Sequence, residues 1–333
     1  MNAIRLKTEY LKNPIGMDIV KPRLFWNCAE GVRQTAYRIV CRDEHENVLW
    51  DSGRVESSSM QAVYAGVPLA SRTRVVWQVR LWDENSTAGD WSECAVFEIG
   101  LLTAADWQAQ WITGDYTPDP KRRYPVDCFQ KHFTTGEVKK ARLYATACGI
   151  YQAAVNGQTV DGFVLAPGVT DYRKRVQYQT YDVTALLLQG DNTLTFQLAD
   201  GWYRGSVGAN GLCNQYGTET KLLAQLELTM ADGIVQTICT DGSWQWSDDG
   251  PVRFADNKDG ERVDARRVPS YRGHAKGTTH PVQPTASDNE PLQEQEQLSA
   301  TPIYTPGGKT VLDFGQNIAG ILQFSITAHA GQR

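Results

Sequence analysis

No stretch of this 333-residue sequence approaches the ~18 consecutive apolar residues that a membrane-spanning helix requires. The first eighteen residues carry Lys7, Glu9, Lys12 and Asp18 where a secretory signal would need an unbroken apolar core. The seven cysteines (Cys28, Cys41, Cys94, Cys128, Cys148, Cys213 and Cys239) are odd in number, scattered and free of any Cys-x-x-Cys pair. That pattern suits reduced thiols in a cytoplasmic protein better than a disulfide framework or a zinc site. None of the five histidines lies three to five residues from another, so metal ligation by His and Cys is not expected. Positive charge is short as well, with 33 Lys and Arg against 38 Asp and Glu and a net charge of −5. This argues against nucleic acid or an anionic membrane as a partner, because clustered cations hold both. The cluster Lys121-Arg122-Arg123 is too short to reverse the balance and reads as a solvated loop. Also missing is a 3.6-residue apolar stripe of helical length.

What is present is β pattern. The length allows roughly two to three domains, and 41% hydrophobic with 21% charged residues is ordinary for a globular chain. In Tyr37-Arg38-Ile39-Val40-Cys41-Arg42 the residues Tyr37, Ile39 and Cys41 share one face. The run Val75 to Trp82 alternates likewise, with Trp77, Val79 and Leu81 pointing inward. Period-two alternation rich in Val, Ile, Tyr and Trp marks half-buried antiparallel strands. Asp51-Ser52-Gly53 and Ala88-Gly89-Asp90 read as turns between them, so residues 1–103 read as one β-sandwich.

A second block, residues 104–267, has strands expected at Arg142 to Ala147, Ile150 to Val155, Thr193 to Leu198, Leu222 to Met230 and Ile234 to Thr240. Turns separate them at Asn156-Gly157, Gly190-Asp191-Asn192 and Ala231-Asp232-Gly233. Asn-Gly between alternating runs is a hairpin signal, because both central residues of that tight turn take positive φ. A larger, jelly-roll-like sandwich follows from this. Residues 268–300 shift to Gly, Thr, Pro, Gln and Glu and read as a linker or long surface connection. Strand-like sequence resumes over 301–333, with Thr310-Val311-Leu312-Asp313 and Gly320 to Ile326. So short a segment builds no core alone, so it either packs on the second sandwich or begins a further β-domain.

Several motifs together carry a resemblance. Val155-Asn156-Gly157, Leu165-Ala166-Pro167-Gly168, Tyr181-Asp182-Val183-Thr184 and Gly190-Asp191-Asn192-Thr193-Leu194 are similar to the sandwich module that precedes the barrel in many glycoside hydrolases. Asp200-Gly201-Trp202-Tyr203-Arg204-Gly205, the run Asp259 to Arg266, and Leu312-Asp313-Phe314-Gly315-Gln316-Asn317-Ile318-Ala319-Gly320 narrow the resemblance to the bacterial α-L-rhamnosidases of glycoside hydrolase family 78. Trp107-Gln108-Ala109-Gln110-Trp111-Ile112 resembles the end of that family's fibronectin-III-like leader. A β-galactosidase-like hydrolase shares the Asn-Gly and Asp-Val-Thr module but is less similar in the other motifs.

The resemblance implies an all-β fold of consecutive sandwiches: a fibronectin-III-like leader, a jelly-roll or galactose-binding-like sandwich, and the start of a third β-domain. It implies removal of terminal α-L-rhamnose from rhamnosides with inversion, by an acid and a base some 6.5–9.5 Å apart. In this family both groups belong to an (α/α)6 barrel that follows the β-domains. No motif of that barrel occurs in residues 1–333, so no catalytic residue is carried over and the chain alone is expected to be inactive. Expected partners are rhamnose-containing glycosides and a C-terminal catalytic barrel; the resemblance also allows a homodimer of the full-length form.

For sugar contact the candidates are Asp200, Trp202, Tyr203 and Arg204. They follow a strand and so sit at a sandwich rim. Trp202 and Tyr203 offer flat apolar faces, and Asp200 and Arg204 offer hydrogen-bond acceptors and donors. The competing structural reading has Trp202 filling a domain interface and Arg204 pairing with a carboxylate. No cofactor is expected. Asp256-Asn257-Lys258-Asp259-Gly260-Glu261 looks superficially like a calcium loop, but Lys258 stands where a ligand is needed and the glutamate comes too early. Calcium held by carboxylates from distant loops stays open. Two alternatives to the hydrolase part are a stand-alone rhamnose-binding protein and a structural multi-sandwich protein of the adhesin type; the leader-free N-terminus and dispersed thiols disfavour the second.

Overall fold

Alternation becomes structure most directly in the strand Arg74–Trp82, where Val75, Trp77, Val79 and Leu81 are all fully buried while the residues between them are half-exposed. The computed structural model describes residues 1–327 and 329, and the chain divides into a large unit, Met1–Leu292, and a small one, Gln293–Arg333.

The large unit opens with a sandwich. One sheet has three antiparallel strands, Asn2–Thr8, Arg23–Ala29 and Gln61–Val63. The facing sheet is ordered Val48–Asp51, Ala36–Arg42, Arg74–Trp82 and Ala88–Trp91, with Val55–Glu56 and Ala95–Glu98 pairing onto its two central strands. Leu24 and Trp26 from the first sheet meet Ile39, Cys41, Trp77 and Phe97 from the second in one core. The expected turn at Ala88-Gly89-Asp90 is instead strand. The reversal lies just before it, where Asp83 N–H donates to Thr87 O and Ser86 takes a φ of 61°. Gly89 serves close approach, since a Cβ there would sit 1.9 Å from the Met1 carbonyl oxygen.

The second sandwich also packs two sheets. One runs Lys276–Gly277, Ile112–Thr113, Lys221–Met230, Val138–Cys148, Val176–Asp182 and Pro284–Ala286, with Val235–Cys239 also on Lys221–Met230. The other runs Gln158–Thr159, Ile150–Val155, Gly190–Ala199, Asp127–Thr135, Gln245–Ser247 and Gly273–His274. Leu143, Leu226 and Leu228 of the first interleave with Phe129, Val155 and Phe196 of the second, each such burial contributing about 1.5–3 kcal/mol. Asn156 and Gly157 both take positive φ, 52° and 78°, and join Ile150–Val155 to Gln158–Thr159. Residues 268–300, a connection by composition, place three short strands on the edges of these sheets, at Gly273–His274, Lys276–Gly277 and Pro284–Ala286.

The two sandwiches are clasped by polar pairs beside a small aromatic cluster. Glu98 accepts from Arg142 Nε at 2.9 Å and Nη2 at 3.0 Å, and Lys140 Nζ lies 3.2 Å from the same carboxylate. Arg72 bridges Asp106 at 2.7 Å and Glu227 at 2.6 Å. Leu101, Tyr144 and Tyr178 form the buried cluster, with Trp107 packed against it, and the Tyr178 hydroxyl accepts the Leu101 N–H at 2.8 Å. The charged groups of these pairs, with Tyr144, line a cavity of about 380 Å³.

The small unit holds one hairpin, Thr301–Tyr304 with Thr310–Asp313. The expected strand over Gly320 to Ile326 is absent from the described residues. Ile321, Leu322, Phe324 and Ile326 are exposed there, and no neighbouring strand is hydrogen-bonded to them. Residues 328 and 330–333 of the C-terminal segment lie outside the described residues.

Candidate functional site

Asp200, Trp202, Tyr203 and Arg204 come where the strand Gly190–Ala199 ends and the chain makes one helical turn, Gly201–Arg204. Gly201 makes the turn possible. Its φ is +54°, and a Cβ would lie 2.8 Å from the backbone of Gly149 and Ile150. One helical turn brings residues four apart to the same side, which sets Asp200 against Arg204. Nε of Arg204 donates to Asp200 Oδ1 at 2.7 Å, and Nη2 lies 2.6 Å from the same oxygen. Both side chains are about 4% exposed.

The guanidinium also lies over the Tyr124 ring at 4.8 Å and the Tyr116 ring at 5.7 Å, and it donates to the Tyr116 hydroxyl. Burial alone would lower the Arg204 pKa, but Asp200, Tyr116 and Asp127 together raise it, so it stays cationic. Behind it Asp127 is wholly enclosed. Its Oδ2 accepts from the Thr220 hydroxyl at 2.7 Å and its Oδ1 from Trp246 Nε1 at 2.9 Å. Burial pushes the Asp127 carboxyl upward, against the pull of Arg204 and of these donors. Burial also raises Asp200, against the pull of Arg204, and pushes the Tyr116 hydroxyl up to about 12.

The basic cluster read as a solvated loop is a loop only in part. Arg123 reaches inward, 2.5 Å from Asp259, 3.4 Å from Asp256 and 3.9 Å from Asp200, because the two buried carboxylates, Asp256 and Asp200, need a cation. Asp256 caps the turn that resembled a calcium loop. Its Oδ1 accepts from the N–H groups of Lys258 at 2.8 Å and Asp259 at 3.0 Å, and its Oδ2 from Ser206 N–H at 2.7 Å. Burial raises Asp256, but these N–H donors and Arg123 outweigh it and hold the carboxyl below its ordinary value. Among the described residues no group of three or more His, Cys, Asp or Glu side chains gathers to hold a metal.

Tyr203 turns inward, edge-on to Tyr172 at 5.3 Å, in a cluster with Cys148 and Val176. Burial pushes the Cys148 thiol up to about 12, which leaves it protonated and inert. Trp202 is different. It is half-buried and packs against the edge of that cluster, as do Trp111 and Tyr216, and the Arg173 guanidinium lies 5.2 Å from the Tyr216 ring. The fold therefore brings Asp200 and Arg204 together as a buried ion pair, and it encloses Tyr203. Of the four candidates, Trp202 alone is left half-open. Sequence reasoning did not find Arg123, Asp127, Asp256 or Tyr116, which come from other elements. No spacing in the sequence links them to Asp200 to Arg204, since the carboxylates of Asp256-Asn257-Lys258-Asp259 lie far downstream of the motif.

Comparison with known proteins places these features in a family. The family model of the α-L-rhamnosidase N-terminal domain matches residues 136–305, and that of the Rha78A-like N-terminal immunoglobulin domain matches residues 3–103. An α-L-rhamnosidase of Alteromonas sp. (strain LOR) is 33% identical over 98% of this chain and 38% of its own length. Among solved structures, the native α-L-rhamnosidase of Aspergillus terreus superposes with a TM-score of 0.87 at 31% identity, over 95% of this chain and 39% of that one. The Streptomyces avermitilis α-L-rhamnosidase complexed with L-rhamnose gives 0.84 at 26% identity, over 95% and 49%. The chain thus spans less than half the length of each of these proteins, and it belongs to the family of α-L-rhamnosidase N-terminal domains.

Proposed function

We propose that this chain is the non-catalytic β-portion of an α-L-rhamnosidase, a support for hydrolysis of terminal α-L-rhamnose carried out by groups outside residues 1–333. The observation that carries the reading is where the perturbed carboxyls lie. A general acid for glycoside cleavage needs a raised pKa and access to the leaving oxygen, with a second carboxyl across a water-sized gap. The two carboxyls that burial raises, Asp127 and Asp200, are 1% and 3% exposed and are held by Thr220, Trp246 and Arg204. In the clasp cavity, Asp106 has the opposite tuning. Burial acts to raise it, but hydrogen bonds from Arg72, Ser71 and Thr103 hold it at about 2. The purified chain is expected to release no chromophore from an aryl α-L-rhamnoside above a protein-free control. Turnover would overturn the reading.

A second reading, rhamnose binding without hydrolysis, is favoured by Trp202, which stays half-buried beside Trp111 and Tyr216. Aromatic faces of this kind stack on the apolar face of a sugar ring. Titration with rhamnose by calorimetry, with and without calcium, is expected to give saturable heat that Trp202→Ala reduces at least tenfold in affinity. Equal affinity in a folded Trp202→Ala protein would sink it. Asp200→Ala and Arg204→Ala serve poorly as tests, because each leaves a buried charge unpaired and unfolds the turn.

A further inference from the structure

The outward face of the three-stranded sheet in the first sandwich carries features that neither strand formation nor the core requires. The strand Asn2–Thr8 is interrupted by a β-bulge: Ile4 pairs with Asn27 and Lys7 with Phe25, so Arg5 and Leu6 together oppose Trp26. Arg5 takes a φ of +52°. The bulge keeps Ala3, Leu6 and Thr8 on the core side and brings both Arg5 and Lys7 to the outer side. Directly afterwards the chain reverses over Thr8 to Leu11, whose backbone groups exchange two 2.9 Å hydrogen bonds. The two central residues, Glu9 and Tyr10, have φ of 50° and 69°. Asn and Gly are the residues that fit such a turn. Here it is made from Glu and Tyr, and the departure has visible results. Glu9 takes the Arg23 N–H at 2.5 Å and its guanidinium Nε at 3.0 Å. Tyr10 is laid against Phe25 with ring centroids 4.4 Å apart, and the Arg23 guanidinium lies 5.0 Å from the Tyr10 ring.

Strained backbone that re-aims side chains marks places where those side chains are used. Tyr10 is 53% exposed, and with Phe25, Arg5, Lys7, Asn27 and Gln61 it borders one open cleft of about 620 Å³. Among the described residues, Arg5 and Lys7 have no carboxylate partner, whereas Arg23 has Glu9. The segment from Arg5 to Arg23 holds five basic and two acidic residues in a chain whose net charge is −5. An aromatic platform beside two unpaired cations, in an otherwise acidic protein, complements a ligand with flat apolar faces and regularly spaced anions.

We propose that this face docks an acidic polysaccharide, a sugar ring lying on the open face of Tyr10, which Phe25 backs, and its carboxylate or sulfate groups meeting Arg5 and Lys7. The inference rests on the reading of the chain as part of a glycan-degrading enzyme, and it names the class of glycan: an anionic one. Electrophoresis of the whole chain through gels containing polygalacturonate, dextran sulfate or neutral dextran tests it. Retardation is expected in polygalacturonate, dextran sulfate or both, which tells carboxylate from sulfate recognition, with none in dextran. Raising the salt from 50 to 200 mM should weaken it. Tyr10→Asn, which keeps a residue tolerant of positive φ, should raise the dissociation constant at least tenfold, and Lys7→Gln at least threefold, with the unfolding temperature of Lys7→Gln unchanged. Retardation by neither polyanion, equal retardation of folded Lys7→Gln and wild-type chains, or equally tight binding of duplex DNA would each overturn the proposal. The rhamnoside hydrolysis assay does not depend on Tyr10 or Lys7, so a failure here leaves that reading standing, and turnover there leaves this one standing.

Discussion

Asp127 carries a carboxyl into a place that water does not reach, and its neighbours define what it does there. Thr220 and Trp246 each donate to one of its oxygens, and Arg204 stands behind the Tyr116 hydroxyl. Burial outweighs these favourable partners and raises the pKa, so the folded state holds the proton more tightly than the unfolded chain does. The sign of the pH dependence follows. The stability contributed by the protonated acid is fully present below the ordinary carboxyl value near 4 and is lost as pH rises toward the raised folded value. Asn at this position has no proton to lose. The unfolding temperature of Asp127→Asn, measured against wild type from pH 4 to 8, is therefore expected to gain on wild type as pH rises. A difference that is flat or moves the other way would contradict a raised pKa. Asp127→Ala should instead cost about 1–3 kcal/mol at every pH, because it strands the Trp246 N–H and the Thr220 hydroxyl.

At the scale of elements, what alternation and turn chemistry encode locally was legible. Arg74–Trp82 alternates because one face is core, and Asn156-Gly157 turns because both residues accept positive φ. Asp182 closes the short turn after its strand by accepting the Thr184 N–H at 3.1 Å. Misreadings arose where a distant contact decides the conformation. Gly89 reads as a turn residue, yet it serves the approach of Met1. Glu9 and Tyr10 form a tight turn that neither residue favours, at about 1–2 kcal/mol each for left-handed backbone. The run Gly320 to Ile326 alternates well enough for a strand, but a strand needs a hydrogen-bonded neighbour and none is present among the described residues. The candidate site follows the same rule. The motif at Asp200 to Arg204 stands out because its residue types are unusual after a strand, whereas its partners Arg123, Asp127 and Asp256 come from three other elements with no spacing that links them. The same separation explains why Arg204 looked available to a ligand, since the residues that enclose it are invisible from its own segment.

For the molecule as a whole the decisive feature is the clasp between the two sandwiches. Domains in one chain move relative to each other unless a large, well-packed interface prevents it. Here the aromatic cluster of Leu101, Tyr144 and Tyr178 is small, and much of the interface is ionic. Glu98 and Arg142 are 1% and 6% exposed, so their pairing must offset the loss of water from two charges. Such a pair adds little net stability against an apolar pair of the same shape, but breaking it leaves a charge buried without compensation. Asp182 still holds Arg142 at 2.9 Å from the far side, so Glu98→Ala should fall at the lower end of the usual range, about 3 kcal/mol. Because Glu98 belongs to one sandwich and Arg142 to the other, the loss should separate their unfolding. Calorimetry of the Glu98→Ala chain is expected to show two heat-absorption peaks where wild type shows one. Replacing both residues, as Glu98→Met with Arg142→Met, should restore a single peak and most of the lost stability, since neither charge is then stranded. If the double variant unfolds as early as Glu98→Ala, the pair is doing more than neutralising itself, and the forked pair of hydrogen bonds from Arg142 to Glu98 would be what joins the sandwiches.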